Sequence, residues 1–158
     1  MEGVHSQDFY HSAGMRLGHT DGIVYKHFVN PQGAVEVMLG FGGHDKGMQV
    51  YALYEWHNNI RLEFTDNLYV YYGVGGHSGY IKKYEERLYY SGGDQPSVYR
   101  GEVTYFAFGA DAIAGLEYRI FKVPMTVGLD IKPYIEYYGF KDVQFKFWDF
   151  ALNLKYIF

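Results

Sequence analysis

Apolar and polar residues alternate with period two along the C-terminal half of the chain. Thr104, Phe106, Phe108, Ala110, Ala112, Ala114, Leu116 and Tyr118 form one alternate set. Val123, Met125, Val127, Leu129, Ile131, Pro133, Ile135 and Tyr137 form a second, and Trp148, Phe150, Leu152, Leu154, Tyr156 and Phe158 a third. None of these positions is charged, whereas the opposite registers carry Asp111, Glu117, Arg119, Asp130, Lys132, Glu136, Asp149 and Lys155. With 20% of all residues charged, a charge-free set of this size arises by chance about once in a hundred cases. Successive side chains of a strand point to opposite faces, so each stretch is a strand with one apolar and one polar face.

The same alternation recurs upstream with less contrast. Val35, Val37, Leu39 and Phe41 oppose Glu36 and Met38; Met48, Val50, Ala52, Tyr54 and Trp56 oppose Tyr51 and Glu55; Leu68, Val70, Tyr72 and Val74 oppose Tyr69, Tyr71, Gly73 and His77. With weaker stretches near 13–19 and 23–29, the pattern predicts eight strands, at 10–19, 22–29, 34–43, 47–57, 67–80, 103–119, 123–138 and 146–158. Asn30-Pro31-Gln32-Gly33 and 121–123 are tight-turn material, 139–145 is a medium connection, and 81–102 is the long one. The connection at 58–66 is long for its side of this scheme. Pro133 has no N–H for a ladder, which predicts a bulge or the barrel rim there.

An alternating sheet closed into a barrel can turn its apolar face inward or outward. Strand 103–119 reads aromatic, then alanine, then Leu116 and Tyr118, and the last strand runs from Trp148 and Phe150 through Leu152 and Leu154 to Tyr156 and Phe158. Aromatics at both ends of an aliphatic band match two interfacial girdles around hydrocarbon. The polar registers mix single charges with glycines and tyrosines, as a narrow, side-chain-filled lumen requires. The expected fold is all-β: one eight-stranded, antiparallel, up-and-down transmembrane barrel over 1–158. Residues 1–9 form a flexible N-terminus and 81–102 a long extracellular loop.

Composition narrows the chemistry. The chain has 158 residues, enough for one domain, and no cysteine, which removes disulfides and thiolate sites. The net charge of −4 gives no general electrostatic reason to bind nucleic acid. No apolar run approaches the ~18 residues of a spanning helix. Met1–Ser6 lacks the basic and apolar parts of a leader, so any export signal is expected to be already removed.

Trp148-x-Phe150-x-Leu152-x-Leu154-x-Tyr156-x-Phe158 resembles the signal by which outer-membrane assembly machinery recognises barrels. Tyr25-Lys26-His27-Phe28, Leu53-Tyr54-Glu55-Trp56-His57, Tyr71-Tyr72-Gly73-Val74-Gly75-Gly76-His77 and Gly115-Leu116-Glu117-Tyr118 are similar to segments of small bacterial outer-membrane β-barrel proteins. Those proteins have the shape of outer membrane protein X and the OmpA transmembrane domain. The resemblance implies a bacterial outer-membrane location, contact with the lipid bilayer and lipopolysaccharide, and the assembly machinery as a partner during biogenesis. It implies no reaction.

The inward register collects Arg16, Lys26, Glu36, Glu55, Asp111, Glu117, Asp130, Lys132, Glu136, Asp149 and Lys155. Unpaired charge in a lumen is costly, so these residues read as a structural polar network. The alternative is a gated path for a small solute. His27, His57 and His77 lie in strands where they could meet in the lumen, but the seven histidines lack metal-ligand spacing. His5-Ser6, His11-Ser12 and His77-Ser78 are adjacent, which sends each pair to opposite faces. No catalytic, cofactor-binding or metal-ligating set is assigned. In the loop, Tyr84, Arg87, Tyr89, Tyr90, Tyr99 and Arg100 combine residue types common at protein-binding hot spots. The expected role is non-enzymatic: a surface barrel that engages an extracellular or envelope protein through its external loops. A lipid A or phospholipid-modifying enzyme and a narrow pore are the alternatives.

Overall fold

The computed structural model describes residues 11–42, 47–89, 92–93, 97–120 and 122–158, without the side chains of 84–87, 89, 97, 99 and 100. Its elements are β1 (His11–Gly18), β2 (Asp21–Phe28), β3 (Gly33–Gly42), β4 (Gly47–Leu62), β5 (Thr65–Tyr89), β6 (Ser97–Ile120), β7 (Met125–Ile131), β8 (Tyr134–Tyr138), β9 (Asp142–Lys146) and β10 (Phe150–Ile157). The sheet order β5-β4-β3-β2-β1-β10-β7-β6 is closed by pairing of β5 with β6, a ring of eight antiparallel strands. β8 and β9 continue the last two staves. Residues 1–9, expected to be a flexible start, lie outside the described residues.

The seventh and eighth expected strands are each interrupted, and the reason is a bulge opposite Pro133. The β6 ladder runs past the proline in unbroken register, from Ala114↔Ile131 to Asp111↔Tyr134. The amide of Ala112 donates to the Pro133 carbonyl at 2.9 Å. On the other side, Ile131↔Phe150 gives way to Tyr134↔Lys146, so 132–133 face 147–149. The extra residue therefore belongs to the last stave, not to the strand that holds the proline. A bulge reverses the alternation. Phe145 and Phe147 point outward on one side of it, and Trp148 and Phe150 point outward on the other.

Three connections expected to be loops are wholly or partly strand, and the medium one at 139–145 becomes β9 from Asp142 onward. β4 and β5 continue through 58–66 to a tight turn at Glu63-Phe64. Most of 81–102 is likewise a hairpin extension, paired from Lys82↔Thr104 to Tyr89↔Ser97. Among the described residues, β4 accompanies β5 only as far as Tyr80, and β8 accompanies β6 only as far as Ala107. The part beyond, Ile81–Tyr89 and its partner, extends about 30 Å at roughly 3.3 Å per residue.

Inside and outside are inverted relative to a water-soluble barrel. Every outward position of β6 from Phe106 to Tyr118 is exposed, as are Trp148, the outward residues of β10 from Phe150 to Tyr156, and Phe158 just after it. All eleven charged residues of the predicted lumen register are buried, between 0% and 5% exposed. Glycines make room for rings across this narrow interior. A Cβ on Gly115 would stand 2.6 Å from Cζ of Tyr71, and one on Gly40 would stand 2.8 Å from Cε2 of Tyr51.

Candidate functional site

The lumen residues sort into two ion clusters stacked along the barrel axis. At the end carrying the turns 29–32, 63–64 and 122–124, Phe28, Ala34 and Ile157 form an apolar plug. The Phe28 ring lies 5.0 Å from that of His57. Above the plug, Lys26 of β2 reaches Glu55 at 2.6 Å, Glu36 at 3.2 Å and Glu117 at 3.7 Å. Lys155 of β10 meets Glu36 at 3.2 Å and Glu117 at 3.1 Å. His57 Nε2 pairs with Glu55 at 2.9 Å, while His57 Nδ1 and Glu55 Oε1 have no hydrogen-bond partner among the described residues. Two ammonium groups thus serve three carboxylates drawn from three further strands. Lys26 and Glu36 face each other directly across β2 and β3.

Tyr71 joins this cluster to the next. Its ring lies 4.6 Å from Lys26 Nζ and 5.6 Å from Lys155 Nζ, and its hydroxyl donates to Asp130 at 3.2 Å. Asn153 also donates to Asp130, at 2.5 Å. Arg16 then binds Asp130 through Nε and Nη2 at 3.2 and 2.8 Å, and Asp149 through Nη1 at 3.1 Å. A planar guanidinium suits such a fork, because it offers several donors in fixed directions. Thr20 donates to the other oxygen of Asp149 at 2.9 Å. Lys132 lies 3.3 Å from both Asp149 and Asp111, with the Tyr51 ring 4.0 Å away.

The upper cluster ends on His77, held between Asp111 at 2.7 Å and Glu136 at 3.0 Å. Gln49 donates to Glu136 at 2.6 Å. Seven carboxylates against four cationic side chains would leave three excess anions in a buried space. Tyrosine, threonine, asparagine and glutamine donors, together with His57 and His77, offset that excess. Neutral hydroxyl and amide donors aimed at carboxylates satisfy a buried anion without adding charge.

No protein-family model matches this chain, and no curated protein does. Among solved structures, the N-terminal β-barrel domain of Pseudomonas aeruginosa OprF is similar, with a TM-score of 0.55 over 94% of this chain and 95% of that one. Identity is 15%. The fold is that of an outer-membrane barrel domain.

All eleven predicted lumen residues come together in the two clusters. Thr20, Gln49 and Asn153 were not singled out from the sequence, although Asn153 sits in the charged register between Ala151 and Lys155. His27 departs from expectation. It faces outward and stacks on His11 with ring centroids 4.7 Å apart, while His57 and His77 occupy different clusters, so the three do not meet. The register explains this, since His27 adjoins the inward Lys26. Ser78 is exposed on the outer wall beside the inward His77, so the pair is split across the sheet. The terminal residues Trp148, Phe150, Leu152, Leu154, Tyr156 and Phe158 share the outer face. Of the proposed partner residues, Tyr84, Arg87 and Tyr89 belong to β5 and Tyr99 and Arg100 to β6, not to a loop. Tyr90 lies outside the described residues.

Proposed function

We propose that the chain spans a bacterial outer membrane as a sealed, non-enzymatic barrel and acts through the β5–β6 hairpin and the shorter turns on that side. The observation that carries the reading is the cross-braced lumen. Arg16 of β1 is tied to Asp130 of β7, and Lys26 of β2 to Glu117 of β6, with 1% or less of each cationic side chain exposed. A solute path would need these ties to open. The apolar exterior with charges on the axis supports the membrane location, because a barrel in lipid presents hydrocarbon-facing side chains outward and polar ones inward.

The hairpin supports the surface role. Beyond Tyr80 and Ala107 its backbone edges have no neighbouring strand among the described residues, and Leu88 and Val98, paired across it, are both exposed. Free edges and exposed apolar groups on a rigid support are suited to an extracellular or envelope protein.

Two measurements test the proposal. In planar bilayers the purified barrel is expected to carry no steady current at neutral pH, and a stable open state refutes the seal. Photo-crosslinkers at positions 88 and 98 should give discrete protein adducts on whole cells. Replacing 82–104 with a short turn should abolish them while the barrel still folds. Adducts that persist without the hairpin refute its role.

A further inference from the structure

Two histidines stand side by side on the outer face, at the end of the barrel that carries the turn 29–32. His11 opens β1, His27 is the last residue but one of β2, and the strands pair them directly. Residues facing each other across an antiparallel pair hold their Cβ atoms about 4.5–5.5 Å apart. Pairing thus joins two imidazoles that lie sixteen residues apart in the chain. Their Nδ1 atoms are 3.3 Å from each other, and both side chains are half-buried. The Tyr25 hydroxyl stands 2.6 Å from His11 Nδ1. Val35 faces His27 from β3, and the Phe158 ring stacks on His11 with centroids 5.9 Å apart, so apolar groups flank the pair.

These contacts ask more of His11 than one nitrogen gives. A neutral imidazole offers at each nitrogen either one N–H or one lone pair. Here both the Tyr25 hydroxyl and His27 Nδ1 converge on His11 Nδ1. We propose that His11 and His27 bind a Zn²⁺ ion through their Nδ1 atoms. The cation takes one lone pair from each ring and removes the competition at His11. Imidazole suits zinc and copper alike, so spacing decides between them. With metal–nitrogen bonds of about 2.05 Å, two ligands stand about 3.35 Å apart across a tetrahedral angle and about 2.9 Å apart across a right angle. The observed 3.3 Å fits tetrahedral zinc, not square-planar Cu²⁺. Among the described residues no group of three or more histidines and acids could hold a metal, so water completes the coordination. The Tyr25 hydroxyl is placed to hydrogen-bond one such water. This is an open, exchangeable site, unlike a structural zinc closed by four protein ligands. Bound there, the ion ties the first residue of β1 to β2 and holds the start of β1 against fraying.

The test uses the whole chain without a polyhistidine tag, folded in a zwitterionic detergent, stripped of metal by a chelator and titrated with zinc chloride in a calorimeter. The wild type is expected to bind about one Zn²⁺ per chain, and His11→Ala and His27→Ala should each weaken that binding at least about tenfold. His44→Ala, at a histidine outside the pair, should bind as the wild type does. Heat-modifiable migration reports folding, and His27→Gln gives the same readout if alanine prevents it. Zinc at about ten times its Kd should shift the unfolding equilibrium of the wild type about elevenfold toward the folded barrel, and should leave the double variant H11A/H27A unmoved. Three results overturn the proposal: a wild type that takes up no zinc, a double variant that binds zinc as the wild type does, or a loss in H44A equal to that in H27A.

Discussion

Lys26→Met probes the lower cluster at its most connected point. The ammonium is fully buried, with carboxylates of Glu55, Glu36 and Glu117 at 2.6, 3.2 and 3.7 Å. In its absence Lys155 still holds Glu36 and Glu117 at 3.2 and 3.1 Å, and Glu55 keeps only His57 at 2.9 Å. Removing one member of a buried ion set costs about 3–5 kcal/mol, since the remaining charge has lost its partner without regaining water. Glu55→Gln alone leaves Lys26 two other carboxylates, and its cost is that of a lost charged hydrogen bond, about 1–3 kcal/mol. In the double variant the stranded anion no longer exists. Its cost should fall below the sum of the singles by about 2 kcal/mol, within the range of coupling between groups in one network. Urea unfolding from lipid vesicles, followed by tryptophan fluorescence, measures all four corners of the cycle. Additivity within about 0.5 kcal/mol would mean that each charge is separately hydrated, and the picture of a dry, shared network would be wrong.

Two further outcomes follow from the inverted barrel and its packing. Trp56 and Trp148 both lie on the outer face, 39% and 71% exposed, so brominated lipids should quench both, and bromines near the headgroup should quench Trp148 more than bromines at the chain end. Absence of quenching would contradict a lipid-facing exterior. Gly115→Ala drives a methyl to within 2.6 Å of the Tyr71 ring and 2.7 Å of the Leu129 carbonyl oxygen, and should cost about 1–3 kcal/mol by overpacking. In a Tyr71→Leu background, which itself loses the bond to Asp130, the same glycine substitution should cost less in the urea assay, and an undiminished cost would place the strain at the Leu129 backbone.

Alternation made the inward–outward assignment legible because lipid and lumen impose opposite demands on neighbouring residues. Lys26, Glu36 and Glu55 therefore declared their face without any partner being visible. The partners themselves were not legible, because they come from different strands. Nothing in the sequence ties Arg16 to Asp130 or Lys155 to Glu36. Phe147-Trp148 marks the bulge only in the structure, where both rings point outward; as a sequence pair it resembles Tyr71-Tyr72, whose members take opposite faces of a regular strand. The extensions at 58–66 and 81–102 were obscured for a physical reason. A hairpin that extends past the ring with no strand packed on either face has no apolar side to bury, so its alternation fades while its backbone pairing continues.

In the proposed membrane setting, lipid contact on the outside leaves the strand register underdetermined. A slip of one residue reverses the faces, but a slip of two keeps every apolar side chain outward. The lumen must therefore supply the missing specificity, and ion pairs shared among several strands do so because each charge answers to more than one neighbour. Exchanging the facing pair, Lys26→Glu with Glu36→Lys, separates this from a simple pairwise contact. If the two residues mattered only to each other, the exchange would restore wild-type stability. In the observed arrangement the new lysine stands where Glu36 meets Lys155, and the new glutamate stands where Lys26 meets Glu55 and Glu117. Three close attractions are reversed, at 3.2, 2.6 and 3.7 Å, while three like-charge neighbours, Lys26 with Lys155 and Glu36 with Glu55 and Glu117, are relieved. The exchanged barrel should lose at least as much stability as either single variant, about 3–5 kcal/mol or more, and should migrate as unfolded protein on heat-modifiable gels. Recovery to wild-type behaviour would reduce the lumen to independent pairs and leave its register to be fixed by the turns alone.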